Sequence, residues 1–221
     1  MIGSSLNFSN ESSPTILCLG AHSDDIEIGC GGTILRLIDA YPQARVNWVV
    51  FGAIGERVRE AQNSAEEFLS KAGDKRILIK GFRDGFFPYI GKDIKEFFEQ
   101  LKQQVDPDII FIHNRNDLHQ DHRLLAELTW NTFRNHLILE YEIPKYDGDL
   151  GSPNVFVHLD AGTCRKKIEL LERHFTTQGE KDWFDEELFM ALLRIRGMES
   201  RAPDGYAEAF YGRKLITHIK R

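Results

Sequence analysis

Four short runs rich in Ile, Val and Leu recur along the first half of the chain, and they constrain the fold more than any other feature. They are Thr15–Gly20, Val46–Phe51, Arg76–Lys80 and Asp108–Ile112. Each has strand length and lacks the polar alternation of a sheet with one wet face. Such runs mark strands buried on both sides. The segments between them have helical spacing: Thr33–Ile38, Arg57–Ala72 closed by Gly73, and Asp93–Val105. Strand and helix in alternation predict a mostly parallel sheet with helices on both faces. A Gly-rich turn is expected to join the first strand to its helix. From about Leu137 the alternation loses regularity. A late strand over Val155–Leu159 and helices over Cys164–Phe175 and Asp185–Arg196 are expected to complete one domain over 14–221. Residues 1–13 read as a flexible tail.

With 42% hydrophobic residues, the 221-residue chain has enough apolar material for such a core. Its net charge of −6 provides no general field for nucleic acid. Three cysteines, Cys18, Cys30 and Cys164, form no CxxC pair, which argues against a disulfide framework and for a reducing, cytoplasmic setting. The N-terminal segment has neither a basic region nor an apolar core of a signal peptide. No apolar run approaches the ~20 residues of a membrane helix.

Two polar clusters follow predicted strand ends. One is Ala21-His22-Ser23-Asp24-Asp25, and the other runs from His113 to His119-Gln120-Asp121-His122. In an open parallel sheet the carboxyl ends of strands share one edge, so the clusters are expected to meet. His22 and Asp25 are three apart, as are His119 and His122, so each pair can converge. Imidazole and carboxylate are zinc ligands, and a catalytic zinc uses three of them. Asp24 is placed to serve as a base, one of His119 and His122 as ligand and the other as acid, and Asp121 as the group that orients that acid.

At these residues the chain resembles the LmbE-like (PIG-L) family of zinc-dependent N-deacetylases. The shared motifs are Ala21-His22-Ser23-Asp24-Asp25, Gly31-Gly32-Thr33 and His119-Gln120-Asp121-His122. Glu56-Arg57-Val58-Arg59-Glu60 and Tyr206-Ala207-Glu208-Ala209-Phe210 match further segments, so the resemblance runs from about residue 15 to 212. Ser23 departs from the family's Pro, Gln120 lies inside the second motif, and Ile26 replaces a frequent acidic residue, with Glu27 next. The resemblance implies a Rossmann-like LmbE fold without a nucleotide. It also implies His22, Asp25 and His122 as ligands of Zn2+ (or Fe2+), Asp24 as base, and His119 as the group that stabilises the oxyanion and protonates the amine. Asp121 would orient His119, and Arg59 would contact substrate. The implied substrate is an N-acetylated sugar or sugar conjugate, and relatives range from monomers to homo-oligomers as large as hexamers.

Arg115, Asn116 and Tyr206 are further candidates for substrate contacts. Glu208 is a candidate for the pocket wall, and the loop Gly85–Tyr89 for stacking on a sugar ring. His113, His136, His158, His174 and His218 read as structural, and Arg165–Lys167 as a solvated helix face. Three alternatives compete: another amide as substrate, a sugar-binding protein without catalysis, and a nucleotide-binding Rossmann protein. Gly29-x-Gly31-Gly32 departs from GxGxxG, and carboxylates would sit where phosphates belong, which disfavours the last.

Overall fold

The computed structural model describes Leu6, Phe8 and residues 13–216. The expected tail therefore lies almost wholly outside the described residues, as does His218. Strands β1 (Thr15–His22), β2 (Arg45–Gly52), β3 (Asp74–Ile79), β4 (Ile109–His113), β5 (Leu137–Tyr141), β6 (Val155–Leu159) and β7 (Tyr206–Gly212) form one sheet. Its order is β3-β2-β1-β4-β5-β7-β6. The pairs among β1 to β5 are parallel, and β7 runs antiparallel between β5 and β6. The mostly parallel α/β sheet read from the sequence is thus present. β5 and the inward position of β7 are additions to that reading.

Helices cover both faces, and successive strand residues divide between them, as the period of two requires. Ile16, Cys18, Trp48 and Val50 face α1 (Asp25–Ala40), α2 (Glu56–Phe68) and α5 (Ala161–His174). Leu17, Leu19, Val49 and Phe51 face α3 (Gly91–Gln104) and α4 (Gln120–Thr132). The sixth helix, α6 (Glu186–Ser200), packs along β7. The three cysteines are buried and unpaired.

The expected Gly-rich turn is not a turn. Gly29, Gly31 and Gly32 lie inside α1, which starts at Asp25. A Cβ on Gly29 would stand 2.2 Å from the Tyr141 ring, and one on Gly32 would stand 2.6 Å from Leu159. The glycines bring this helix onto the sheet rather than bend the chain. Close approach and tight turns both call for glycine, which is why the sequence alone misassigns them.

The outer strands are tied to α1 by a buried charge pair. Lys167 Nζ donates to Glu208 Oε1 at 2.7 Å and to the Ile28 carbonyl at 2.6 Å. Glu208 accepts from the backbone N–H groups of Gly32 and Thr33. Lys167 is therefore not part of a solvated face, and Glu208 is a structural tie that lines only a small internal crevice with Lys167 and Arg196.

β1 and β4 are adjacent but leave the chain in opposite directions across the sheet, toward β2 and β5 respectively. Their carboxyl ends flank the switch point, where an open α/β sheet forms its crevice.

Candidate active site

His22 ends β1, and Asp24 and Asp25 open α1. His113 ends β4, while His119 caps α4 and Asp121 and His122 lie in its first turn. The switch point thus brings together residues about a hundred positions apart.

Three atoms converge. His22 Nδ1 lies 3.4 Å from Asp25 Oδ2 and 3.2 Å from His122 Nε2. His122 Nε2 lies 3.6 Å from Asp25 Oδ2. A tetrahedral zinc with bonds of about 2.0–2.1 Å has ligand-to-ligand edges of about 3.3 Å. The triangle fits that spacing.

The outer nitrogens settle which ring atoms are free. His22 Nε2 faces Asp84 Oδ1 at 3.0 Å and Asp121 Oδ2 at 3.3 Å. His122 Nδ1 faces Asp117 Oδ2 at 2.9 Å, and Lys145 holds that same carboxylate at 3.0 Å. These carboxylates suit ring protons on the outer nitrogens, so that both inner nitrogens would be free to face a bound metal.

The electrostatics favour a cation there. Burial disfavours a charged His22, yet the charge of Asp25 and hydrogen bonds that His22 donates to Asp121, Asp25 and Asp84 outweigh it and raise its pKa well above the usual value. Burial likewise opposes ionised Asp25, but His122, His113 and His22 hold its pKa well below the carboxylate range. Burial, with His113, pushes His122 down to about 3, so its ring is neutral as a ligand must be. This donor set fits a divalent metal.

Asp24 stands beside the triangle. Its Oδ1 accepts from Arg57 at 3.3 Å, while its buried Oδ2 has no partner among the described residues. Burial first, then Asp25, raises its pKa, against Arg57 and His22. His119 borders His22, its ring centroid 4.9 Å from that of His22. Its Nδ1 accepts from the Asp121 N–H at 3.3 Å. Burial first, then His22, lowers its pKa.

Several expectations need correction. The Asp121 carboxylate does not meet His119. It accepts from Gly85 N at 2.6 Å and Phe87 N at 3.1 Å and faces His22, so only the Asp121 backbone orients His119. Arg59 is exposed on α2, whereas Arg57 turns inward, with Nε donating to Ser23 Oγ at 2.9 Å. Arg115 donates its backbone N–H to Glu140, and its side chain lines a separate groove beside Trp130. Asn116 is exposed, its N–H bonded to Asn114 Oδ1. Tyr206 packs on the Leu159, Cys164 and Leu193 cluster, with Arg194 over its ring, because β7 lies against α6.

His113 is not a remote structural residue. It stacks on His122 with ring centroids 3.8 Å apart and places Nε2 3.2 Å from Asp25 Oδ2. Its place at the head of the second polar cluster is the signal that could have found it. Asp84 and Asp117 also escaped sequence reasoning. By contrast, His136 pairs with Asp106, and His174 with Glu67, outside the site. His158 lies exposed on β6. In the loop before α3, Phe87 lies beside His22, and Phe86 and Tyr89 form an exposed aromatic pair.

Fold and site together define an α/β protein with a buried, cation-favouring His and Asp cluster at the switch point of its sheet. The profile of the family described as "PIG-L: GlcNAc-PI de-N-acetylase" matches residues 17–133, more than half of the chain, and the chain belongs to this family of deacetylases. It is 28% identical over 171 residues to "Uncharacterized deacetylase YaiS" of Escherichia coli (strain K12), covering 72% of this chain and 89% of that one. Among solved structures it resembles N,N'-diacetylchitobiose deacetylase from Pyrococcus horikoshii. The TM-score is 0.67 at 21% identity, over 92% of this chain and 85% of that one. It also resembles GalB, the 4-carboxy-2-hydroxymuconate hydratase of Pseudomonas putida KT2440. Here the TM-score is 0.72 at 15% identity, over 94% and 100% of the two chains. At these identities the structural matches show the fold alone. Among the described residues no helix is long and apolar enough to cross a membrane.

Proposed function

We infer that this chain is a metal-dependent amide hydrolase that removes an N-acyl group, acetyl in the first instance, from an amino sugar or sugar conjugate. The observation that carries this reading is the triangle of His22 Nδ1, Asp25 Oδ2 and His122 Nε2 with the unpartnered Asp24 Oδ2 beside it. The deacetylase family and the sugar named for the Pyrococcus relative support the choice of substrate class.

Those three atoms would hold a zinc or ferrous ion, which as a Lewis acid polarises the amide carbonyl and lowers the pKa of an attacking water toward ~7. Asp24 Oδ2 takes the proton of that water. Its raised pKa moves it toward the range of an effective base, and Arg57 keeps the carboxylate in position through the other oxygen. His119, bonded through Nδ1 to the Asp121 N–H, carries its proton on Nε2 as a neutral ring. That N–H is a donor for the substrate oxygen as it gains negative charge, a contribution of about 3 kcal/mol for a preorganised donor. An imidazolium would set an Nδ1–H against the Asp121 N–H. The proton for the departing amine is therefore assigned to Asp24 rather than to His119. Exposed Tyr89, and the face of Phe86 that Arg83 does not cover, offer apolar surface to a sugar ring.

The test is amine release from a panel of N-acetylated amino sugars and their conjugates, with metal supplied or chelated. Metal-dependent release is expected. Asp24→Asn should cut turnover by ~10²-fold or more while metal content, read by elemental analysis, stays at the wild-type level. Metal bound with no amine released from any substrate would sink the deacetylase reading. It would redirect the site to another hydrolysis or to a hydration.

A further inference from the structure

A second concave site lies away from the reacting groups, on the face of the sheet that carries α4. It has a volume of about 480 Å3 and is lined by Arg115, Glu127, Trp130, Asn131, Arg134, Arg213 and Lys214. Four basic side chains from three segments of the chain meet there. Among the described residues the lining holds one carboxylate, Glu127. Glu140 lies behind Trp130 and has both oxygens committed, one to the indole N–H and one to the Arg115 backbone N–H. Arg213 and Lys214 sit over the Trp130 ring, with Cζ and Nζ 5.0 and 5.5 Å from its centroid.

The plainer reading is that these cations serve the last carbonyls of α4. It accounts for Lys214, which donates to the Arg134 carbonyl at 2.9 Å, and for Arg134 Nε, which donates to the Asn131 carbonyl at 3.2 Å. It does not account for Arg213, held over the indole, or for Arg115, which enters from the β4–α4 loop. Glu127 offsets one of the four positive charges in the hollow, and the other three repel one another unless a further anion shares it. Guanidinium groups present paired N–H donors that match phosphate oxygens. The volume lies within the range of small-molecule sites. A hollow of this size suits a small anion rather than a nucleic-acid track.

We propose that this groove binds a phosphorylated small molecule, its phosphate held by Arg213, Arg115 and Arg134 beside the Trp130 ring, as a site separate from the His and Asp cluster. This assignment is independent of the deacetylase reading. It is tested by calorimetric titration of the full chain with inorganic phosphate and with glucose 6-phosphate at constant ionic strength. Saturable binding is expected with at least one of them. Tighter binding of the sugar phosphate would show that the organic part is also recognised, and equal binding would show that the phosphate group alone carries recognition. Arg213→Glu should weaken binding at least tenfold, and Arg134→Ala provides the same test should the first variant fail to fold. His122→Ala, in the other site, should leave binding unchanged. Three results would overturn the proposal. They are no saturation with either compound, binding indifferent to the Arg213 and Arg134 changes, or binding lost in His122→Ala. Binding of an oligonucleotide but of neither phosphate compound would likewise reject it.

Discussion

At the scale of single residues, the site depends on groups that hold the ligands as much as on the ligands. Asp117 meets His122 at its outer nitrogen, besides holding Lys145 and the His119 backbone N–H, and that bond favours the ring proton on Nδ1 and a free Nε2. Asp117→Asn keeps the shape but presents an amide that can turn its N–H toward the ring. The outer partner of a ligating histidine typically contributes ~10–100-fold to metal affinity. Competition with a chelator should show a loss in that range, with the folded structure retained. An unchanged affinity would mean that α4 alone holds His122. The ligand and base positions were legible in the sequence because they lie within short motifs whose spacing serves one point in space. Asp84, Asp117 and Arg57 were not. Each reaches the cluster from a loop or helix start, where the direction of a side chain depends on packing rather than on period. Arg57 and Arg59 illustrate this, since two residues on one turn face opposite ways and the sequence does not say which faces in.

At the scale of elements, α1 carries both chemistry and fit. It presents Asp24 and Asp25 at its N-terminus, and one turn later its glycines lie flat on Tyr141 and Leu159. Tyr141 has no slack, since its hydroxyl donates to the Leu19 carbonyl at 2.7 Å. Gly29→Ala would place a methyl 2.2 Å from that ring. Overpacking of a core by one methyl costs about 1–3 kcal/mol, and here the shift would move the helix that holds Asp25. Denaturant unfolding should show a loss in that range, and metal affinity should fall with it. Stability equal to wild type would show that the helix–sheet contact yields freely. The parallel strands and their helices were readable because hydrophobic runs of strand length alternate with helical spacing. β7 was not placed by pattern. Its neighbours are set by a reversal of direction late in the chain and by Glu208, whose partners are backbone N–H groups of a helix 175 residues away.

At the scale of the whole molecule, the proposed ligands join two distant parts of the chain. His22 and Asp25 come from the β1–α1 junction, and His122 comes from α4, beyond β4. An ion bound by all three would couple the strands that flank the switch point, and it would bind the folded chain far better than the unfolded one. Ligand present at a hundred times its dissociation constant stabilises the folded state by about 2.7 kcal/mol. In a domain of this size that corresponds to a rise of roughly 5–10 °C in Tm. Thermal unfolding with zinc or ferrous iron, each against chelator, is expected to show such a rise for the tighter ion. His122→Ala should abolish the rise, while Asp24→Asn should retain it, because the base is not needed to hold the metal. A rise that survives His122→Ala would place the ion elsewhere, with His22, His119, Asp84 and Asp121 as a group of donors close enough to receive it without His122.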